Sequence, residues 1–486
     1  MIEYKNLLSI SKRYSFYEKM KILNIYSSSI INIKKNIIEL SEDKVLPWEL
    51  EIVYIFFVVA KEWKMDDFNG KNEKKFLEII ECIRNYDNPK INNLDLNDIV
   101  KNMFTIYCFN QFEIQEVITY KLYRYNYFFN FKNKNIDMSN EFIKKFNYCY
   151  QYYINFMIII LFLFGSKHKF SDKIFDYTIM KYKNIVRKLS ISREKCINRI
   201  NFFAQNIYDY YSCVKPCNIY PFLKEDGKYY LPLPHCIIAA CTNSLLYRIT
   251  DNNNEIRSLF GKEVLEQYLF DILSESNIFD EVIGEKNYIY KRQQMRTSDV
   301  MCRKEDFYVF FESKSMVPNA FTRCIDEESI IKETDKIIKA MNQVYNQLIN
   351  KFEKEYYFFK FNGGNININK CFGIVCMLGD PFISRKDIYR AYANKYHIDE
   401  NSEIYDFIIN HIKICSLYDL ERYAFTQNDI LKSLIRQLEE QKPYDYVFAD
   451  TLEKNRMTAN IIKFKEEQKL FLINYFEELK QNKIIT

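Results

Sequence analysis

Residues 297–315 read TSDVMCRKEDFYVFFESKS. Apolar runs flank the polar break Arg303-Lys304-Glu305-Asp306, and their length and aromatic content predict an antiparallel hairpin with strands at 297–303 and 307–314. Side chains alternate along a strand, so Glu312 and Lys314 share a face and Ser313 takes the other. Directly opposed residues of an antiparallel pair also share a face. A loop of even length therefore sets Asp299, early on the first strand, across from Glu312, whereas an odd loop requires a bulge.

Two carboxylates and an ammonium gathered at one end of a hairpin are the residue types that phosphodiester cleavage requires. Hard carboxylate oxygens hold Mg²⁺ or Mn²⁺, which polarises a phosphate and lowers the pKa of a bound water. A lysine beside them orients the water and offsets charge building at phosphorus. The E-x-K triplet alone carries little weight, because Glu3/Lys5, Glu42/Lys44, Glu73/Lys75, Glu440/Lys442 and Glu467/Lys469 share it. None of those closes an apolar β-run. Glu312 follows FYVFF, where a carboxylate is costly unless it is exposed or used.

Around the hairpin the hydrophobic pattern is mixed, with a helix at 259–274, a strand at 281–289, a helix at 326–351 and a strand at 371–378. Helices flanking a small sheet define an α/β class. Upstream, Phe260-Gly261-Lys262-Glu263 leads into a helix on which Glu263 and Glu266, three apart, can share a face. The run KAMNQVYNQL in the downstream helix offers Gln343, with Gln347 as a competitor.

This constellation resembles the PD-(D/E)XK nuclease superfamily. Here the motif is written Ser298-Asp299, twelve residues, then Glu312-Ser313-Lys314. Serine stands where the family has its eponymous proline, at a position that carries no chemistry. The resemblance implies a restriction-endonuclease-like core and Mg²⁺ or Mn²⁺ held by Asp299 and Glu312, with Lys314 in catalysis. It also implies a helix carboxylate, for which the gap after Gly261 favours Glu266 over Glu263, and a helical glutamine near the site, matched by Gln343. It covers residues 256–416 and does not reach the region before them.

That earlier region reads as helix after helix to about residue 212, as in the segment opened by Pro47-Trp48-Glu49, whose proline suits a first helical turn. Near Pro216 the punctuation changes. An Asp226-Gly227 turn between short apolar runs predicts a second hairpin, followed by a helix at 237–249. The expected organisation is thus a mixed α+β and α/β chain: an all-helical regulatory or targeting domain at 1–215, a nuclease-like domain at 216–420, and a helical extension at 421–486 packed on the core. The helical region is expected to contribute no catalytic residue.

The chain of 486 residues has 40 Tyr and 40 Phe but only 9 Gly and 9 Pro, a usage like that of an AT-rich coding sequence, which weakens any argument from aromatics or lysines alone. The stretch at 120–134, YKLYRYNYFFNFKNK, interleaves aromatics with cations as stacking on nucleic acid would require, and this bias discounts it. A net charge of +5 permits nucleic-acid binding without demanding it. Thirteen cysteines without a CxxC pair, behind an N-terminus lacking a continuous apolar core, read as reduced thiols of a cytoplasmic protein. The grouping Cys213, Cys217, His235, Cys236 and Cys241 matches no zinc spacing, and His168, His235, His397 and His411 form no pair. The apolar stretch at 152–164 is too short to cross a bilayer and reads as a core helix. No GxxxxGK[ST] or GxGxxG loop is present, and Gly363-Gly364 reads as a turn.

The expectation is a metal-dependent nuclease that acts on DNA in preference to RNA, in antiviral defence or restriction, with a partner protein or homo-oligomer left open and no membrane. A catalytically silent protein of the same fold, binding nucleic acid or serving as a scaffold, is the alternative.

Overall fold

Two residues, Glu305 and Asp306, turn the chain between the strands Val300–Lys304 and Phe307–Lys314, and Glu305 takes the left-handed step at φ 54°. Lys304 pairs with Phe307 and Val300 with Phe311. The loop is therefore even, and the same register carried one step further sets Asp299 across from Glu312.

The computed structural model describes residues 4–40, 45–62, 70–85, 96–166, 172–203, 215–251, 253–323, 325–360, 367–446 and 457–485. Cys213, His168 and the Gly363-Gly364 turn lie outside the described residues. The protein is mixed α/β and divides into two compact units, each drawing on separate parts of the chain. One comprises 1–129, 139–251 and 464–486, and the other 130–138 and 252–463. Residues 216–251 and the end of the C-terminal helix thus group with the N-terminal residues.

The second unit holds the hairpin. Its principal elements are α1 (Glu266–Glu275), β1 (Glu281–Gly284), β2 (Asn287–Tyr290), β3 (Gln293–Arg296), β4 (Val300–Lys304), β5 (Phe307–Lys314), α2 (Glu327–Asn346), β6 (Cys371–Met377), α3 (Arg385–Tyr396), α4 (Glu403–His411), β7 (Ile412–Ser416) and α5 (Leu417–Thr426). Five strands form one sheet in the order β7-β6-β5-β4-β1. The meander β1, β4, β5 is antiparallel, and β6 and β7 continue it in parallel.

Met301, Phe310 and Val375 pack from this sheet against Ile337, Met341 and Val344 of α2, with Ile388 and Tyr392 of α3 in the same cluster. Burying each such large side chain contributes about 1.5–3 kcal/mol. By alternation Glu312 and Lys314 project to the face of Phe310, toward α2. Close approach of that helix depends on Gly373 of β6, where a Cβ would overlap Cγ1 of Val344. Helix α1 packs against β1 and β4 and is tied to α5 by the Tyr268 hydroxyl, which donates to Glu421 at 2.6 Å.

The expected strand at 281–289 is two strands in different sheets. After Gly284 the chain leaves the five-stranded sheet, and β2 with β3 forms a separate two-stranded ribbon. Its turn, Lys291-Arg292, has both residues at positive φ, 47° and 66°. Hairpin turns of this kind usually announce themselves with Asn or Gly, and here neither is present. The helix expected at 259–274 starts earlier, at Asn254, and changes its winding at Phe260–Leu265. The helix expected at 237–249 is broken into Ile237–Ala240 and Asn243–Thr250.

In the first unit the described residues are chiefly helical, with two small sheets of two and three strands. Ser190–Ser192 joins the Phe222–Glu225 and Lys228–Tyr230 hairpin in a three-stranded sheet, so the region before residue 215 is not wholly helical. Tyr150–Gly165 is a helix with Tyr153, Phe156, Met157, Ile159 and Ile160 buried. Among the described residues no single helix is long and apolar enough to cross a membrane; Met138–Phe146 and Tyr150–Gly165 reach that length together, bent by 67°. The aromatic and basic run of Ile118–Asn130 is turned inward. Tyr120, Tyr125, Phe128 and Phe129 are buried, and Lys121 and Arg124 each reach Glu116 at 3.4 Å, which removes them from contact with nucleic acid.

Candidate active site

Asp299 stands in a bend one residue ahead of β4, not on the strand as expected. Its Oδ2 accepts the backbone N–H of Ser313 at 2.7 Å and the Ser313 hydroxyl at 2.9 Å, so a side-chain bond takes the place of the next ladder bond. On β5, Lys314 Nζ donates to Glu312 Oε1 at 2.8 Å. Both residues sit on backbone held from the other side by β6, where Glu312 faces Val375 and Lys314 faces Met377.

Glu266 opens α1 directly after a π-helical turn, Phe260–Leu265, and its amide donates to the Gly261 carbonyl five residues back. π-turns are rare and recur at functional sites, because the extra residue re-aims the side chains that follow. A Cβ at Gly261 would lie 2.9 Å from the Ser315 hydroxyl, so glycine lets this turn close on the end of the hairpin. The two candidate carboxylates have different fates. Glu263 accepts the side-chain amides of Asn133 at 2.7 Å and Asn135 at 2.8 Å, whereas Glu266 lines the cavity.

That cavity, of about 870 Å³, is walled by Glu266, Asp299, Glu312, Lys314 and Gln343 together, which brings all five candidate residues to one place. Gln343 is exposed on the wall. Gln347 also borders the cavity but is buried and donates to Glu355, whose other oxygen accepts the Tyr288 hydroxyl at 2.8 Å. Burial pushes the Glu355 carboxyl up to about 7. A second π-turn, Gln347–Lys351, runs along this wall.

The electrostatics are those of carboxylates crowded out of water. Burial, then the charges of Asp299, Glu285 and Glu312, push Glu266 up to about 9. Burial and then the Glu312 charge push Asp299 up to about 7, against the opposing bonds from Ser313 and the charge of Lys314. Desolvation and like charge both disfavour the ionised form, and a nearby cation reverses both effects.

Sequence reasoning missed several residues of the wall: Lys262, Glu285, Tyr288, Arg296 and Lys351. Lys262 precedes Glu266 by one helical turn and was legible from that spacing. Glu285, Tyr288 and Arg296 come from the ribbon that carried no turn signal.

A second cluster lies in the other unit. Among the described residues, Glu51, His235 and Cys236 form the one trio of His, Cys, Asp or Glu side chains with ligand atoms within 4.8 Å of one another, and all three are buried. Glu266, Asp299 and Glu312 are not gathered within that distance as a trio. Glu51 already has a counter-charge in buried Lys215, at 3.4 Å, and accepts from Asn218 at 3.3 Å, while Ser27 meets His235 Nδ1 at 2.7 Å. This is a hydrogen-bonded buried ion pair that needs no metal to balance its charge. Cys217 and Cys241 are buried thiols, His411 is stacked between Phe372 and Phe407, and His397 caps α3 in the left-handed conformation.

No protein family, no curated protein and no solved structure matches this chain.

Proposed function

We propose that the protein is a metal-dependent nuclease of the PD-(D/E)XK kind, with DNA as its substrate. One observation carries this reading: Glu266, Asp299, Glu312 and Lys314, drawn from a helix, from the bend ahead of β4 and from β5, converge on a single cavity. The donor set fits a hard divalent cation. It consists of oxygen ligands whose burial and mutual repulsion retain protons that a dication would displace.

Asp299, Glu312 and Glu266 would hold Mg²⁺ or Mn²⁺, which when bound supplies Lewis-acid polarisation of a phosphate and an acidified water. The chain's own groups do the rest. Oδ2 of Asp299 is fixed by Ser313, and Oδ1 takes part in neither of those bonds. The Lys314 ammonium, held beside Glu312, is placed to orient water and to offset charge at phosphorus. Arg296 and Lys351 give the carboxylate floor a cationic wall on which a polyanion can rest. Antiviral defence or restriction is the setting this chemistry suits.

The test is incubation of the purified chain with supercoiled plasmid, linear duplex and RNA in Mg²⁺, Mn²⁺ or EDTA. Cleavage in metal, none in EDTA and none with Glu312→Gln is expected. A folded chain that cuts no substrate in either metal overturns the assignment and leaves the catalytically silent, nucleic-acid-binding alternative.

A further inference from the structure

Among the strands of the second unit, β2 and β3 are the most exposed. Asn287, Ile289 and Tyr290 of β2 and Gln293, Gln294 and Arg296 of β3 are exposed, as are both turn residues, Lys291 and Arg292. Ile289 is 81% exposed. A two-stranded ribbon of this length is marginal alone, so its base must be held. The Lys286 amide donates to the Thr297 hydroxyl at 2.9 Å and the Thr297 amide to the Lys286 carbonyl at 3.0 Å, closing the ribbon below. Tyr288 anchors one face through Glu355 and an edge contact with Phe358. The Lys354 ammonium lies 5.3 Å from the centre of the Tyr290 ring.

Register decides what the other face offers. Asn287 pairs with Arg296 and Ile289 with Gln294, so these four share the face opposite Tyr288 and Met295. Asn, Gln and Arg are the side chains that make paired hydrogen bonds to adenine and guanine edges, and an apolar group such as Ile289 suits a thymine methyl. At the tip, Lys291 and Arg292 have no salt-bridge partner among the described residues. Over residues 285–296 the cations Lys286, Lys291, Arg292 and Arg296 face one carboxylate, Glu285, which Arg296 meets at 3.1 Å.

We infer that this ribbon enters the major groove of duplex DNA and sets a backbone phosphate over the carboxylate cavity. The inference rests on the nuclease reading for the purpose of the contact, but its binding face stands on exposure, register and charge. A B-form major groove about 12 Å wide admits a two-stranded ribbon, whereas the deep, narrow major groove of duplex RNA does not. Tyr288, Gln294 and Arg296 border the cavity, so a strand gripped by the ribbon lies beside Asp299 and Glu312.

The experiment is fluorescence anisotropy with the full chain in EDTA, where metal-dependent cleavage is absent. Labelled 20-base-pair DNA, its single strand and the same duplex as RNA are compared across a salt series. The Lys291→Ala/Arg292→Ala double variant should bind duplex DNA about tenfold more weakly and lower the log–log salt slope by about 2, since each phosphate contact contributes about 0.9. Ile289→Asp should weaken duplex binding without reducing the number of cationic contacts. Equal melting temperatures of variants and wild type confirm the fold. Unchanged affinity and slope, or preference for the single strand or RNA, overturns the inference. Because no cleavage is measured, a chain that binds through the ribbon and cuts nothing would overturn the nuclease reading alone, and one that cuts with indifferent ribbon variants would overturn the ribbon alone.

Discussion

Asp299 is tied to Ser313 by two bonds onto one oxygen, from the amide at 2.7 Å and from the hydroxyl at 2.9 Å. The residue between Glu312 and Lys314, whose side chain points away from theirs, thereby sets the position of the Asp299 carboxyl. Removing only the hydroxyl leaves the amide bond in place. Ser313→Ala is expected to cost about 0.5–1.5 kcal/mol in urea denaturation and to leave cleavage within a few-fold of wild type. A loss as large as that of an Asp299 variant would mean that the hydroxyl acts on substrate.

Asp299→Asn and Glu312→Gln each remove charge from the donor set and should lower cleavage by at least ~10²-fold in Mg²⁺. Lys314→Met should slow single-turnover cleavage by ~10² while metal affinity by calorimetry stays near wild type, since an ammonium does not ligate a cation. Lost metal binding with unaltered single-turnover chemistry would contradict the role given to Lys314.

Glu266 is crowded by three other carboxylates. Glu266→Gln relieves that repulsion and should raise the melting temperature in EDTA, by about 2–4 °C for each kcal/mol gained, while weakening Mn²⁺ binding. A lower melting temperature in EDTA would show that the Glu266 carboxylate is held by bonds and not strained by its neighbours.

Lys413 of β7 is buried, with its ammonium against the carbonyls of Ile409 at 2.8 Å and Pro443 at 3.4 Å. Burial pulls its pKa down to about 7, with Asp445 opposing the shift. Between about 7 and the usual lysine value the unfolded chain holds a proton that the folded chain lacks, so stability rises with pH across this window and is lost as pH falls toward 7. Lys413→Met should therefore stabilise most below pH 7 and progressively less toward pH 10. Melting curves whose wild-type-to-variant gap does not change with pH would refute this.

The overlap between a Cβ at Gly373 and Val344 makes Gly373→Ala a test of how closely α2 must lie on the sheet. A destabilisation of about 1–3 kcal/mol is expected from overpacking. Cleavage should fall with it, because Gln343 precedes Val344 on the same helix. A variant as stable as wild type would show that the helix can retreat.

The hairpin was legible because its signals are local: an apolar run, the four-residue polar break at 303–306 and a carboxylate where a hydrophobic residue is cheaper. The parity of the loop stayed open in the sequence, and the two-residue turn Glu305-Asp306 decides it in favour of Asp299 across from Glu312. The choice of Glu266 over Glu263 was open in the sequence, because both fit one helical face, and a π-turn that depends on space beside Ser315 separated them. The ribbon was illegible for a different reason. Lys291 and Arg292 hold left-handed backbone that side chains of their type seldom adopt, so nothing at the turn distinguished it from a continuing strand. The stretch at 120–134 was rightly discounted on composition, since a helix buried among aromatics, as at Ile118–Asn130, carries the same composition as a stacking surface.

The first unit is closed by residues nearly 300 positions apart. Tyr475 shares a 2.7 Å hydrogen bond with Thr178, and Glu478 accepts the Tyr177 hydroxyl at 2.7 Å. Contacts of such sequence separation form late, because the loop between them must be ordered first. On the ribosome the residues of the sheet and its hairpin emerge before 464–485 are made, so the second unit can fold while the first still lacks a helix. A single cut anywhere between residues 252 and 463 would separate that helix from the rest of its unit. Nascent chains stalled before residue 464 should accordingly protect 300–416 from protease while leaving 172–182 open.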